Sequence, residues 1–269
     1  MQRNNPFLSE YENKLNDDYI SRGFFVGKIQ NPEIINSIRN SLIDITKKEL
    51  NIKGNTSNEI FLDHVHKYVS PNKLNDFRLK MIEEMNSLPN FRENYYKVVK
   101  TYLDSIVGNE VSMQRRVNLS IQLPEDDSSL LPIHADTWSG NSPYEVVIWI
   151  PLVDCFDTKS MYILPSSKYS KIQKSFKTMH DANTDELFEA VEDDLEWIEI
   201  KFGEALIFNQ SLPHGNRVNL EGETRWSMNC RFKSIFTPYG DKKIGEFFEP
   251  ITLKPASIYG LKYNFPEVG

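Results

Sequence analysis

The sequence is poor in the residues that staple a chain together, anchor it in lipid or draw it to a polyanion. It has only two cysteines, Cys155 and Cys230, in 269 residues. They are too few and too far apart for a disulfide framework or a zinc ribbon, and reduced thiols in a cytoplasmic protein are the expectation. The longest apolar run, VVIWIPLV at 146–153, falls far short of the roughly 20 residues that cross a bilayer. The opening MQRNNPFLSEYENKL has no apolar core of the kind a signal peptide carries. A formal charge of −7 leaves no general basic surface, so neither nucleic-acid binding nor membrane insertion is expected. No glycine-rich loop precedes a helix; Gly203 and Gly215 read as turn glycines, and no nucleotide-binding fold is indicated.

What is present is an ordinary globular composition, 39% hydrophobic, 26% charged and 12% aromatic, in a chain long enough for one large domain. The first hundred or so residues read mostly as helix. Asn31 and Pro32 form a cap and first-turn pair ahead of Ile34, Ile35, Ile38, Leu42 and Ile45 at helical spacing. Leu74, Phe77, Met81 and Met85 mark a second helix; Phe91, Tyr95, Val98, Tyr102 and Ile106 mark a third, stopped by Gly108.

After Gly108 the period becomes two. Val117, Leu119, Ile121 and Leu123 share one face, Arg116, Asn118, Ser120 and Gln122 the other. Further strands are expected at 145–153, 160–165, 195–201, 203–209 and 224–236, interrupted by a helical acidic insert around 183–194. From Asp241 the tail, with Pro250 and Pro255, reads as an irregular strap. Helices followed by many short antiparallel strands predict a mainly β, α+β chain with a jelly-roll core. In outline it is a single domain over 1–269: a helical part at 1–110, the jelly roll at 111–236 and the strap at 237–269. With helices backing the sheet's apolar side, polar faces such as Asn118, Ser120 and Gln122, or Arg225, Ser227, Asn229 and Arg231, line a lumen.

Three residues then draw together. In IHADTW, His134 and Asp136 are two apart, and in a strand they would point the same way. His214 ends the GEALIFNQSLPHGN segment, 77 residues lying between it and Asp136. Two histidines and a carboxylate are the donor set that suits non-haem Fe(II) and leaves three positions open. Arg225, eleven residues beyond His214, faces the lumen with no acidic partner on its strand face, and a buried cation needs one. A dicarboxylate would supply it: a 2-oxo acid end to chelate iron, and a distal carboxylate to pair with the guanidinium. That is how 2-oxoglutarate is used.

With these residues in place, the chain resembles the Fe(II)/2-oxoglutarate oxygenases of the phytanoyl-CoA dioxygenase type over roughly 115–235. Their H-x-D matches His134-Ala135-Asp136, their H-G-x-x-x-N matches His214-Gly215 with Asn219, and their arginine matches Arg225. The family's tryptophan corresponds to Trp149, and its leucine-proline turn to Ile163-Leu164-Pro165-Ser166-Ser167. Within the family, HADTWSGNSPYEVVIWIPLVD is most similar to a bacterial subgroup of carbohydrate biosynthesis clusters. The chain departs at Pro165-Ser166-Ser167-Lys168, where relatives often have Pro-Gly-Ser-His, and in its helical N-terminal third. The resemblance implies a double-stranded β-helix (cupin-like jelly roll) backed by the N-terminal helices. It implies His134, Asp136 and His214 as iron ligands, Arg225 as the 2-oxoglutarate clamp, Trp149 beside the cosubstrate, and Asn118 or Gln122 as its hydrogen-bonding neighbours. The implied reaction consumes O2 and 2-oxoglutarate and releases succinate and CO2, with hydroxylation of a substrate C–H bond as the usual outcome and desaturation or epimerisation as the alternatives, set by how the substrate radical is positioned. Asp136 argues against a halogenase, which has a small residue there. A sugar, a sugar nucleotide or a lipid-linked glycan fits as substrate.

Two rival classes remain: a metal-dependent jelly-roll isomerase or hydrolase that ignores 2-oxoglutarate, and a noncatalytic carbohydrate-binding jelly roll. The first leaves Arg225 without a partner; the second makes the triad coincidental. His64 and His66, after Asp63, form a second potential ligand cluster with no third ligand in any pattern. His180 sits in the acidic insert, whose charges read as a solvated face.

Overall fold

The computed structural model describes residues 5–53, 57–169 and 184–266. Four helices form first: α1 (Glu10–Arg22), α2 (Pro32–Glu49), α3 (Pro71–Asn86) and α4 (Phe91–Ile106). The apolar stripes predicted for α2, α3 and α4 are largely buried, with Ile35, Leu42, Met81, Met85 and Tyr95 fully enclosed. Ser9 caps α1 in a reciprocal capping box with Glu12. Asn31, expected to cap α2, makes no such bond; its amide reaches the Lys97 carbonyl instead.

Two sheets follow. The large one runs β1 (Phe24–Lys28), β7 (Glu204–Asn209), β4 (Val146–Pro151), β9 (Arg225–Ser234), β2 (Val111–Gln114) and β10 (Phe248–Pro250), with β3 (Asn118–Gln122) also paired to β9. All its described pairings are antiparallel. The small sheet runs β6 (Glu196–Trp197), β5 (Tyr162–Ile163) and β8 (His214–Gly215). These are the two faces of a jelly roll, the expected class.

Each sheet has an outer cover. Against the large sheet, Phe77 of α3 meets Trp226 edge-on, Tyr95 of α4 stacks on Phe232, and the Tyr95 hydroxyl donates to the Ile148 carbonyl at 2.9 Å. Helix α5 (Thr184–Val191) covers the small sheet, burying Leu187, Phe188 and Val191 with Ile133, Tyr162 and Leu164. Trp226, Met228, Cys230 and Phe232 are fully buried, so the other face of β9 turns inward, as the alternation predicts.

The structure corrects the sequence reading in two places. β1 lies inside the part read as helical and forms one edge of the large sheet, and the strap contains β10 at the other edge and helix α6 (Pro255–Leu261). Edge strands escape pattern reading because only one side pairs; Pro250, which has no N–H to give, is tolerated at an edge.

Candidate metal centre and its cavity

The site is built where the two sheets face each other. His134 and His214 exchange both backbone hydrogen bonds, at 3.0 and 2.8 Å, in a single antiparallel bridge, and their rings stand 4.4 Å apart. Asp136 does not continue that strand. It opens a 3-10 turn, Asp136–Ser139, with its N–H donated to the Gln210 carbonyl at 3.0 Å. Ala135, between His134 and Asp136, is extended, at φ −121° and ψ 135°, so the two share a side as the strand argument for IHADTW expects, and the chain turns only after that. One potential ligand atom from each of His134, Asp136 and His214 lies within 4.8 Å of the others.

Local sequence explains the approach of His214. Asn209 ends β7, and its side-chain oxygen accepts from the Ser211 N–H at 2.8 Å, an Asx turn that reverses the chain toward His214. Gly215 must be glycine: a Cβ there would stand 2.6 Å from both the Leu131 carbonyl oxygen and the Tyr162 hydroxyl. Asn219 then folds the hairpin to β9, donating to the Glu223 carbonyl and accepting from the Glu221 N–H.

Both histidines are oriented through Nδ1, which lies 2.8 Å from the Pro132 carbonyl for His134 and 2.8 Å from the Leu212 carbonyl for His214. A carbonyl accepts only from a protonated nitrogen, so Nε2 is left as the lone-pair donor. Burial, with His134 alongside, pushes His214 down to about 4, which keeps it neutral at pH 7. The donor set and its orientation fit a ferrous ion.

These residues line a cavity of about 570 Å³. Strand register places Asn118, Asn229 and Trp149 in one row across β3, β9 and β4, and all three reach the cavity wall. The Asn118 amide donates to Asn229 at 2.9 Å. Gln122 is not part of this wall: fully buried, it donates to the Arg217 carbonyl at 2.6 Å and is in reach of the Asn216 amide.

Arg225 lines the same cavity, 4% exposed. Its Nη1 donates to the Ser160 carbonyl at 2.8 Å and its Nη2 to the Ser120 hydroxyl at 3.2 Å, while Nε has no partner among the described residues. No carboxylate among the described residues pairs with it. Burial pushes its pKa down to about 10, so it stays charged at neutral pH. A charge in that state needs an anion, which suits a dicarboxylate.

The wall behind Arg225 is held by ions. Lys159, fully enclosed, donates to Asp63 and Glu223 at 2.6 Å each. The Asp63 carbonyl in turn accepts the Thr224 N–H at 2.7 Å. The Asp63–His66 segment thus braces the start of β9. The His66 ring lies 3.0 Å from the Thr224 hydroxyl, and among the described residues the one metal-competent cluster is His134, Asp136 and His214. His180 lies outside the described residues, and the part of the acidic insert that is described, α5, is anchored by its apolar side.

Sequence reasoning missed two residues of the site. Arg231 was placed on the inward face without a role; its Nη2 donates to Asp136 Oδ1 at 2.8 Å. Arg78 of α3 reaches the cavity wall together with Ile82. Its signal was present, since it falls four residues after Leu74 and three before Met81 on the buried stripe.

Solved structures share the fold. A non-heme monooxygenase, ThoJ, in complex with nickel matches with a TM-score of 0.53 at 13% identity, over 94% of this chain and 89% of that one. EctD from S. alaskensis, in its apoform, matches with 0.53 at 10% identity, over 86% and 79%. HygX from Streptomyces hygroscopicus, with nickel and 2-oxoglutarate bound, matches with 0.51 at 12% identity, over 88% and 90%. At such identities the likeness is one of fold. No protein-family model and no curated protein matches the chain. No helix among the described residues is long and apolar enough to cross a membrane.

Proposed function

We propose that the chain is a non-haem Fe(II)- and 2-oxoglutarate-dependent dioxygenase that hydroxylates a polar, carbohydrate-type substrate and releases succinate and CO2. The observation that carries this reading is Arg225: a buried guanidinium with no carboxylate partner among the described residues, in the same cavity as the His134, Asp136 and His214 cluster. A metal-dependent isomerase or hydrolase accounts for the cluster and leaves that cation unexplained.

In this reading His134, Asp136 and His214 hold Fe(II), leaving three coordination positions for small molecules. The bound ferrous ion supplies the activation of O2, coupled to oxidative decarboxylation of 2-oxoglutarate. Arg225 takes the distal carboxylate, with the Ser120 hydroxyl and Ser160 carbonyl fixing the plane of its fork. Trp149 forms the flat wall beside the cosubstrate, and the Asn118 and Asn229 amides give that wall hydrogen-bonding capacity. These polar groups favour a hydroxyl-rich substrate over an acyl chain, because a buried amide facing an alkyl group loses its water without gaining a partner.

The test is succinate formation with Fe(II), 2-oxoglutarate and oxygen. Succinate is expected, and sugar derivatives are expected to stimulate it more than acyl-CoA thioesters do. No succinate from metal-loaded protein would reject the dioxygenase.

A further inference from the structure

The cavity wall inverts the charge of the chain around it. The protein carries a formal charge of −7, yet among the described residues the wall contains three guanidinium groups, from Arg78, Arg225 and Arg231, and a single carboxylate, from Asp136. Arg231 is committed to Asp136. On the dioxygenase reading, on which this inference rests, Arg225 is committed to the cosubstrate. The divalent ion and dianionic 2-oxoglutarate cancel in formal charge, so Asp136 alone among the described residues stands against the three guanidinium groups and the loaded wall keeps a positive excess. Arg78, with no carboxylate of its own among the described residues, carries part of that excess.

Its setting supports a ligand role. Arg78 sits on the stripe of α3 that buries Leu74, Phe77 and Met81, yet it is itself half-buried and reaches the cavity. Its hydrogen bond is to the neutral side chain of Asn75 at 2.9 Å, and no carboxylate among the described residues pairs with it. Lys80, two residues on, has by contrast taken Glu84 at 2.8 Å. β3 pairs only with β9 among the described strands, and α3 packs against it. The same wall offers a second donor, the Ser129 hydroxyl, buried and without a partner among the described residues. A cleft with low-dielectric walls concentrates such a field and strengthens it over its value in water.

We infer that the substrate carries an anionic group, a carboxylate or a phosphate on a polyhydroxylated body, and that Arg78 at the cavity wall receives it. The neutral amides of Asn118 and Asn229 meet hydroxyls, and Arg78 sorts anionic from neutral compounds of the same shape.

The test uses the full chain loaded anaerobically with Fe(II) and 2-oxoglutarate. Glucose, glucuronate and glucose 6-phosphate are titrated in, following both the perturbation of the charge-transfer absorption and the intrinsic tryptophan fluorescence. At least one anion is expected to bind about tenfold or more tightly than glucose, since a charge-assisted pair replaces a neutral contact. Comparison of glucuronate with glucose 6-phosphate tells carboxylate from phosphate. Arg78→Gln should remove the preference, Arg78→Lys should keep part of it, and added salt should shrink it. Binding of glucose as tight as that of both anions, or no binding by either anion, overturns the inference. So does a preference that survives unchanged in Arg78→Gln. The 2-oxoglutarate band itself separates the two levels: if it forms and anions are not preferred, only the inference fails. If it never forms, the dioxygenase reading fails and takes the inference with it.

Discussion

Arg231 Nη2 donates to Asp136 Oδ1 at 2.8 Å, joining the carboxylate of the candidate metal centre to a buried polar chain. Arg231 Nε donates to Gln210 Oε1 at 3.1 Å, and the Gln210 amide donates to Glu145 and to the Ser142 carbonyl at 2.8 Å each. Gln210 also accepts the Asp136 N–H on its backbone oxygen, so the two ends of the carboxylate's residue are fixed by one neighbour and its partner. Oδ1 is thereby engaged, and the carboxylate is held in one orientation beside the histidines.

The first prediction concerns that pair. Arg231→Gln removes the charge and frees Asp136 to rotate, and loss of a hydrogen bond that orients a metal ligand costs about 10- to 100-fold in metal affinity. The expected result is weaker Fe(II) binding by titration with an unchanged far-ultraviolet circular dichroism spectrum. Equal affinity in wild type and variant would show that Arg231 does not orient Asp136.

The second concerns the ligands. With three protein donors, deletion of one leaves too few to retain the ion, so His134→Ala and Asp136→Ala should each abolish iron retention and turnover. The β signal should persist, because neither side chain belongs to the apolar core. Full iron occupancy and activity in both variants would refute the assignment.

How much of this was legible in the sequence depended on the range of the physics involved. Alternation along 117–123 and 225–232 placed Asn118, Arg225, Asn229 and Arg231 on an inward face, because strand period is local. The spacing from His134 to Arg225 singled out His134, Asp136, His214 and Arg225, which the structure brings to one cavity. The brace on the Asp136 backbone was not legible, since the Gln210 carbonyl that accepts its N–H is 74 positions away. Nor was the satisfaction of Gln122 by the Arg217 carbonyl, or the partnership of Glu145 with Gln210: buried polar pairs of large sequence separation leave no periodic trace. Arg78 left one, as a cation on an apolar helical stripe. Its meaning needed the cavity.

The third prediction concerns Gly215. A methyl group there meets a backbone oxygen, which cannot swing aside, and the hydroxyl of the fully buried Tyr162. Gly215→Ala should destabilise the fold by about 1–3 kcal/mol, as overpacking of a well-filled site does. It should also weaken metal binding, because His214 moves with its neighbour. Thermal unfolding and Fe(II) titration of the variant check both. An unchanged midpoint and affinity would show that the contact relaxes without consequence.

The fourth divides the dioxygenase from its rivals. If Arg225 pairs with the distal carboxylate of 2-oxoglutarate, Arg225→Ala leaves that carboxylate desolvated without a cation. Loss of one partner of a buried charge pair costs about 2–5 kcal/mol, roughly thirtyfold to several thousandfold in affinity. Arg225→Lys keeps the charge as a single point and loses the planar fork, so it should recover only part. Ser120 and the Ser160 carbonyl, which now hold two arms of the guanidinium, meet one ammonium at best. Iron affinity should hardly change, since Arg225 is not in the ligand cluster. The measurement is 2-oxoglutarate titration into the anaerobic Fe(II) protein, following the charge-transfer absorption that chelation produces, in wild type and both variants. One dissociation constant shared by all three would remove Arg225 as the clamp. His134, Asp136 and His214 would then serve an isomerase or hydrolase better than an oxygenase.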